Sequence, residues 1–216
     1  MPADPATTLA PLLGEALPVE FMNTIWADRS GVHDALASPA DVLGWIRAIR
    51  PLPALHDADL DRWLHDVPAA EVGELAPALR TLRDALRRLA AEQTADPRTR
   101  AASAIDDVGR AVDVVNGAAA AAPHWSRLEW STGGPSRASC TRTGGGAALM
   151  AAIGEQAIDL FAGDARHELR ACLAPRCVLY FFRQHPRREW CSTACGNRAR
   201  AARHYQRHRT DSQIPA

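Results

Sequence analysis

The sequence contains no lysine, since all 25 basic residues of this 216-residue chain are arginine. Alanine is abundant, and the two biases together make any single arginine weak evidence of a special role. Long apolar runs are also missing, because the alanines at 118–122 are far too few to cross a bilayer. The first 21 residues lack the basic start and apolar centre of a signal peptide. We therefore expect a cytoplasmic protein with no membrane partner.

Catalytic signatures are missing as well. The chain shows no serine, histidine and acid set and no paired catalytic carboxylates. The glycine-rich stretch at 143–147 lacks the lysine of a phosphate-binding loop, and we interpret it as an ordinary loop. We expect that the protein is not an enzyme. Apolar residues make up 47% of the chain and include six tryptophans, which is enough for a packed core.

Apolar periodicity predicts a mainly α fold. Ser38, Pro39 and Asp41 form a helix start of the capping-box type. A short helix is predicted at 57–67, and a longer one from Ala69 to about Gln93 carries leucines three or four residues apart. Further helices are predicted from Pro97 to about 117 and at 148–164. Four arginines lie off the leucine stripe of the long helix, and we expect them to form a solvated face: Arg80, Arg83, Arg87 and Arg88.

One segment between residues 123 and 146 breaks the helical pattern. "HWSRLEW" alternates apolar and polar residues, "STGGPS" is typical of a turn, and "RASCTRT" follows with small residues. This order predicts one β-hairpin within the helical domain. Cys140 lies in its second arm, away from the other cysteines, and we interpret it as a half-buried filler.

The balanced net charge conceals a segregation that divides the chain. Residues 1–165 hold 14 arginines against 22 acidic residues, a formal charge of −8, whereas residues 166–209 have a formal charge of +9. We therefore predict a helical domain at 1–165, a basic module at 166–209 and a tail at 210–216. The basic module is expected to carry its own functional surface.

Four of the five cysteines lie in that module, in two close pairs: Cys172, Cys177, Cys191 and Cys195. Cysteines of a reducing compartment rarely form disulfides, and two close thiolate pairs supply the tetrahedron that zinc prefers. Zinc is the expected cofactor. A redox or catalytic cysteine pair is one alternative, and a site of two cysteines with His204 and His208 is another.

The module is predicted to fold as a small finger of one hairpin and one helix, similar to a treble clef or a zinc ribbon. "CVLYFF" reads as a strand that returns through "RQHPRREW". Ser192 or Thr193 can cap a helix that runs to about Arg207, which places Cys195 in its first turn.

The helix predicted after the last cysteine pair would present Arg200, Arg203 and Arg207 on one face, with Arg198 and Tyr205 beside it. Such a face suits phosphate contacts along DNA. The alternatives are that the basic module packs on the acidic domain or is only solvated. Asn197 could read an adenine edge or brace the metal loop.

Polar residues also interrupt an apolar stretch near the N-terminus. Asn23, Thr24 and Arg29 lie among Phe21 and Trp26. They could line a pocket for a small effector, with Arg29 binding a carboxylate or phosphate. Asn23 and Thr24 could instead brace a helix end, because buried polar groups need partners.

The stretch "WCSTACGNRARAARHYQRHR", preceded by "CLAPRCVLYFF", closely resembles the CGNR zinc finger, named for the tetrapeptide Cys195 to Arg198. The N-terminal "LPVEFMNTIWADRSGVHDALASPADVLGWI" looks like the opening of the helical ABATE domain, which often precedes that finger. The resemblance implies DNA-binding transcription regulation linked to stress. Under a second hypothesis the finger is a protein-interaction or dimerisation module, forming a homodimer, and the helical domain binds a small molecule.

Overall fold

The computed structural model describes residues 10–52, 58–99 and 101–211 of the chain. Within these ranges the strands form two-stranded antiparallel sheets that pair β1 with β2, β3 with β4, and β5 with β6. The mainly helical class with a C-terminal finger is confirmed. The elements are α1 (Leu17–Met22), β1 (Ile25–Ala27), β2 (Val32–Asp34), α2 (Pro39–Ile49), α3 (Ala58–Asp66), α4 (Ala69–Thr94), α5 (Val108–Ala119), β3 (His124–Ser131), β4 (Gly134–Thr141), α6 (Gly145–Ala162), a 3-10 helix (Asp164–Glu168), β5 (Leu169–Ala171), β6 (Tyr180–Phe182) and α7 (Thr193–Asp211).

Local signals placed α2, α3 and α4 correctly, whereas α1 was not predicted. At the start of α2 the Ser38 side chain accepts from the Asp41 backbone, and the Asp41 carboxylate accepts from the Ser38 backbone, which is the predicted capping box. Helix α4 runs from Ala69 to Thr94 and buries Leu79, Leu82 and Leu86 of the predicted stripe, while Leu75 and Leu89 at its ends are half-buried. Helix α3 covers most of the segment predicted for it, whose first residue, Asp57, lies outside the described residues.

Two helix starts differ from the predictions. Helix α5 begins at Val108 and not at Pro97, because the Asp107 side chain caps it by accepting from the Arg110 backbone at 2.6 Å. Helix α6 begins at Gly145, inside the stretch that was interpreted as a loop. It packs closely against α5, since a Cβ on Gly154 would lie 2.6 Å from the backbone nitrogen of Ala119.

Helix α4 lies at the centre of the helical domain, in contact with α1, α2, α5 and α6. The main core lies around it and includes Trp45 and Phe21, whose rings are 5.2 Å apart. Leu169 and Tyr180 of the C-terminal module are buried in the same core. The module is therefore packed against the helical domain. Within the described residues no helix is long and apolar enough to cross a membrane.

The arginines of α4 overturn the prediction of a solvated face. Arg83 and Arg87 are only 4% and 3% exposed. Arg83 forms an ion pair with Asp34 at 2.5 Å, while Arg80 donates to the Leu36 carbonyl at 2.8 Å. The physical reason is that other helices and strands pack around α4. Side chains that lie off the leucine stripe are therefore also in contact with neighbouring elements.

The predicted hairpin between α5 and α6 is present. Strand β3 pairs with β4 from His124 opposite Thr141 to Ser131 opposite Gly134. All eight residues of β3 are exposed. Cys140 is half-buried, as predicted.

The hairpin of the C-terminal module differs from the prediction. Strand β6, Tyr180–Phe182, pairs with β5 on its N-terminal side, and within the described residues it forms no ladder with the segment that contains "RQHPRREW". That segment contains Pro186, which cannot donate to a ladder. Helix α7 extends through Thr210 and Asp211, which were assigned to the tail, and residues 212–216 lie outside the described residues.

Candidate metal centre and its arginine helix

The first cysteine pair lies in the loop that joins β5 to β6. The Cys172 backbone donates to the Leu179 carbonyl at 3.0 Å, and the Cys177 backbone donates to the Ala174 carbonyl at 2.9 Å. Arg176 closes this turn in the left-handed conformation, with φ at 65°. The pair is therefore fixed by the end of a hairpin.

The second pair lies at the start of α7. Cys191 precedes the helix, and Cys195 lies in its first turn. The Cys195 backbone donates to Ser192 Oγ at 3.3 Å, so Ser192 caps the helix as predicted. The free amides of this helix end favour a thiolate at Cys195.

The fold brings the four thiols into one buried cluster. All four Sγ atoms lie within 4.8 Å of one another, and they are 3.7 Å apart between Cys177 and Cys191 and 3.3 Å apart between Cys191 and Cys195. A tetrahedral zinc with bonds near 2.3 Å requires sulfur separations of about 3.8 Å. Four buried thiolates of this spacing suit zinc. His204 is exposed on α7 and lies outside this cluster, and the side chain of His208 is not among those described.

Proximity sets how the thiols titrate. Hydrogen bonds from Cys177 and Cys191 lower the pKa of Cys172 to about 7, and those from Cys172, Cys177 and Cys191 lower the pKa of Cys195. The hydrogen bonds to Cys172 raise the pKa of Cys177 and Cys191. The cluster cannot lose all four protons until a cation offsets the charge, so metal binding releases protons.

Three arginines surround the cluster. Arg198 donates to Cys195 Sγ at 2.9 Å. Arg188 donates to the Cys191 carbonyl at 3.2 Å, and Arg98 donates to the carbonyls of Cys172 and Cys177 at 3.2 and 3.4 Å. Burial would lower the pKa of Arg198, but the charge on Cys195 raises it. These contacts orient the ligand residues and offset their negative charge.

Side chains of the helical domain also form hydrogen bonds with the backbone of strand β6 and of the two residues before it. The Asn23 amide donates to the Tyr180 carbonyl at 2.9 Å and accepts from the Tyr180 backbone at 2.8 Å. Arg87 donates to the Val178 carbonyl, and Arg98 donates to the Leu179 carbonyl. Consecutive backbone groups of the finger are thus bound by side chains of the helical domain.

Charged pairs extend this contact. The Tyr180 hydroxyl donates to Asp96 at 2.8 Å, and Asp96 also pairs with Arg98 at 2.6 Å. Burial raises the pKa of Tyr180 to about 12. Glu15, which is 3% exposed, forms an ion pair with Arg188 at 2.7 Å. The basic module therefore docks on the acidic domain through specific pairs.

The predicted DNA-contacting residues separate into two groups. Arg200, Arg203 and Arg207 are exposed on α7. Arg198 is half-buried and directed at Cys195, so the structure places it with the metal cluster. Gly196 packs against the Trp190 ring, where an added Cβ would come within 3.1 Å. Asn197 accepts from Arg200 at 2.5 Å.

The predicted effector residues do not share one described cavity. Asn23 and Thr24 are fully buried, and Thr24 Oγ1 donates to the Phe21 carbonyl at 2.8 Å. Arg29 is exposed between β1 and β2. Sequence reasoning missed the residues that hold the finger, namely Glu15, Arg87, Asp96 and Arg98. One signal was the recurrence of charged residues inside apolar segments at 15–22 and 79–90.

A cluster of four buried cysteines on a hairpin and helix, packed against a helical domain, defines a zinc-finger protein. Comparison with known families agrees with this class. The ABATE family, described as "Putative stress-induced transcription regulator", matches residues 15–164, and the CGNR zinc finger matches residues 168–208. The chain therefore belongs to the ABATE family and carries a C-terminal CGNR zinc finger. A comparison with curated proteins gives no match.

Proposed function

We propose that the protein is a transcription regulator that binds zinc with its four cysteines and DNA with helix α7. The observation that carries the proposal is an exposed arginine face on a helix anchored at the metal cluster. Arg200, Arg203 and Arg207 lie three and four residues apart, and no acidic residue occurs from Thr193 to Thr210. Arginines at this spacing point to the same side of a helix.

The anchoring of α7 supports this proposal. Cys191 and Cys195 fix the start of the helix, and Arg207 lies 12 residues beyond Cys195, or about 18 Å at 1.5 Å per residue. A helix of this kind fits the major groove and can place guanidinium groups on phosphates along it. Tyr205 is 71% exposed on the same helix and offers an aromatic surface to the nucleic acid.

Arg198 has a different part in the proposal. Its bond to Cys195 Sγ makes it a residue that positions the metal ligand, so the DNA contacts are assigned to the other three arginines. In this proposal the protein is cytoplasmic and its finger binds DNA there. The protein is proposed to have no catalytic activity.

A small-molecule effector is part of the proposal, at a site other than Asn23, Thr24 and Arg29. A cavity of about 240 Å³ lies between α4, residues 96–98 and 101–106, and β6. Its polar lining consists of Arg87, Arg88, Asp96, Arg98, Ser103, Asp106 and, from the finger, Tyr180. Three guanidinium groups and two carboxylates suit a small polar ligand, and a ligand there would contact both the helical domain and the finger.

A homodimer is also proposed, because many DNA-binding proteins place two reading helices on paired half-sites. The alternative is that the finger binds protein and not DNA. The charge of α7 favours DNA, because its exposed surface carries three arginines and the helix has no acidic residue from Thr193 to Thr210. The side of the finger at β6 is already occupied by Asn23, Arg87 and Arg98.

Selection of fragments from sheared genomic DNA tests the proposal. The zinc-loaded protein is incubated at about 150 mM salt, where weak non-specific binding is largely suppressed. We expect enrichment of fragments that share a motif, and its loss in a variant with Arg200, Arg203 and Arg207 changed to alanine. A fragment pool identical to the input would overturn the DNA-binding proposal in favour of a protein partner.

A further inference from the structure

The β3–β4 hairpin carries large apolar side chains in water. Leu128 and Trp130 are 71% and 78% exposed, and Trp125 is 48% exposed. An isolated two-stranded hairpin is marginal in stability, and an exposed apolar strand edge invites pairing with another chain. This surface is unexplained by the metal site or by DNA binding.

Residues alternate between the two faces of the hairpin. His124, Ser126, Leu128 and Trp130 share one face, where Trp130 lies opposite Pro135 of β4. Arg127 and Glu129 share the other face and form an ion pair at 2.6 Å. One face is therefore apolar towards the tip, and the other carries Trp125 and, nearer the tip, two opposite charges two residues apart.

The outer edge of β3 is available for pairing. Ser131 pairs with Gly134, so Thr132 and Gly133 form a two-residue turn. In such a turn the flanking pair exchanges hydrogen bonds, and bonding to β4 then alternates along the strand. Ser126, Leu128 and Trp130 consequently direct their backbone groups away from β4. Within the described residues β3 pairs with β4 alone.

We propose that this edge pairs antiparallel with β3 of a second copy, around a two-fold axis at Leu128. In that register Leu128 lies opposite Leu128 of the second copy, and Ser126 lies opposite Trp130. Arg127 of each copy then lies opposite Glu129 of the other, which gives two complementary charge pairs. In this register the outward backbone groups of Ser126, Leu128 and Trp130 form the hydrogen bonds between the two copies.

Charge selects this register over its neighbours. An axis at Arg127 would place two arginines opposite each other, and an axis at Glu129 would do the same with two glutamates. Either shift would also bring inward-directed backbone groups to the edge. The proposed register forms a four-stranded sheet with Leu128 and Trp130 of both copies along one face. This sheet would be the interface of the homodimer in the proposed function, and the inference rests on that proposal.

Charge reversal tests the pairing by sedimentation of the full chain without DNA, across the micromolar range. Arg127→Glu creates two pairs of facing glutamates, and Glu129→Arg creates two pairs of facing arginines. Each variant alone is expected to raise the dimer dissociation constant about tenfold or more, because two attractive pairs become repulsive. The two variants mixed should form a heterodimer, since their charges are complementary in both pairs.

Arg110→Glu is the matched control, because it makes the same charge change at an exposed position of α5. It should leave the dimer intact. A wild-type protein that is monomeric throughout would overturn the proposal. So would single variants that dimerise like the wild type, or a mixture that stays monomeric. Because the readout contains no DNA, failure here is distinct from failure of DNA binding.

Discussion

The arginines of the helical domain and those of α7 have opposite surroundings. Arg87 is buried and donates to the carbonyls of Met22, Ala101 and Val178, and Arg98 donates to three carbonyls of the finger. Arg203 and Arg207 are exposed. A planar guanidinium carries five donors, so one buried arginine can satisfy several loop carbonyls. The contrast shows that location in the fold, and not residue type, decides which arginines are available to a partner.

The same contrast explains how the finger is oriented. Its strand β6 is bound by Asn23, Arg87 and Arg98, which fixes one side of the finger against the helical domain. The metal cluster joins the hairpin loop, which carries Cys172 and Cys177, to the start of α7. The buried arginines therefore stabilise the docked position in which the arginines of α7 stay exposed.

Loss of a metal ligand should have the largest effect on this arrangement. Cys195→Ser is expected to lower zinc affinity at least about 100-fold, since even changes outside the ligand set cost 10–100-fold. The finger should then unfold, because structural zinc contributes folding free energy. Zinc content and circular dichroism measure both effects.

Cys140→Ser is the control for the ligand variant, because Cys140 lies on the hairpin outside the cluster. It should keep one zinc per chain. A Cys195→Ser protein that retains full zinc content and an intact finger would contradict the four-cysteine assignment.

Removal of a buried arginine should have the next largest effect. Arg87→Met keeps much of the length of the side chain but leaves its three carbonyl partners without a donor. We expect a loss of about 3–5 kcal/mol in the free energy of unfolding, measured with denaturant. Arg203→Met, at an exposed position of α7, should change it by less than about 0.5 kcal/mol. Equal effects at the two positions would contradict the contrast between buried and exposed arginines.

Loss of the Asn23 amide should have a smaller effect. Asn23→Leu keeps a side chain of similar shape but leaves the Tyr180 backbone amide and carbonyl unpaired. The expected cost is about 2–3 kcal/mol, since each buried unpaired group costs about 1–3 kcal/mol. Asn197→Leu provides the exposed control and should change stability by less than about 0.5 kcal/mol. Amide hydrogen exchange should show faster opening at β6 in the first variant, and unchanged exchange there would count against the role of Asn23.

Features encoded by neighbouring residues could be predicted from the sequence. The capping box at Ser38, the leucine stripe of α4 and the spacing of the four cysteines are local patterns. The partners of Asn23 and Arg87 could not be predicted, because Asn23 and Tyr180 lie 157 residues apart along the chain. The burial of Arg87 depends on how many elements surround α4, which periodicity alone does not reveal.

The pairing of β6 was mispredicted for a related reason. The β propensity of "CVLYFF" indicates a strand but does not show whether the segment before it or the segment after it pairs with that strand. The first cysteine pair was interpreted as preceding the hairpin. In the structure this pair lies inside the hairpin loop, with the Cys172 backbone bonded to the Leu179 carbonyl. Arg198 was assigned to DNA, although it follows Cys195 by three residues, a helical spacing that already places it beside that sulfur.

The salt dependence of DNA binding shows whether the arginines of α7 contact phosphates. Affinity is measured over a series of salt concentrations for the wild type, for single alanine variants of Arg200, Arg203 and Arg207, and for Arg110→Ala as control. The account predicts that each α7 variant flattens the logarithmic salt slope by about 0.9 for each phosphate that is no longer neutralised, with no change for Arg110→Ala. Slopes that stay equal to the wild type in all three α7 variants would contradict the claim that this helix binds DNA.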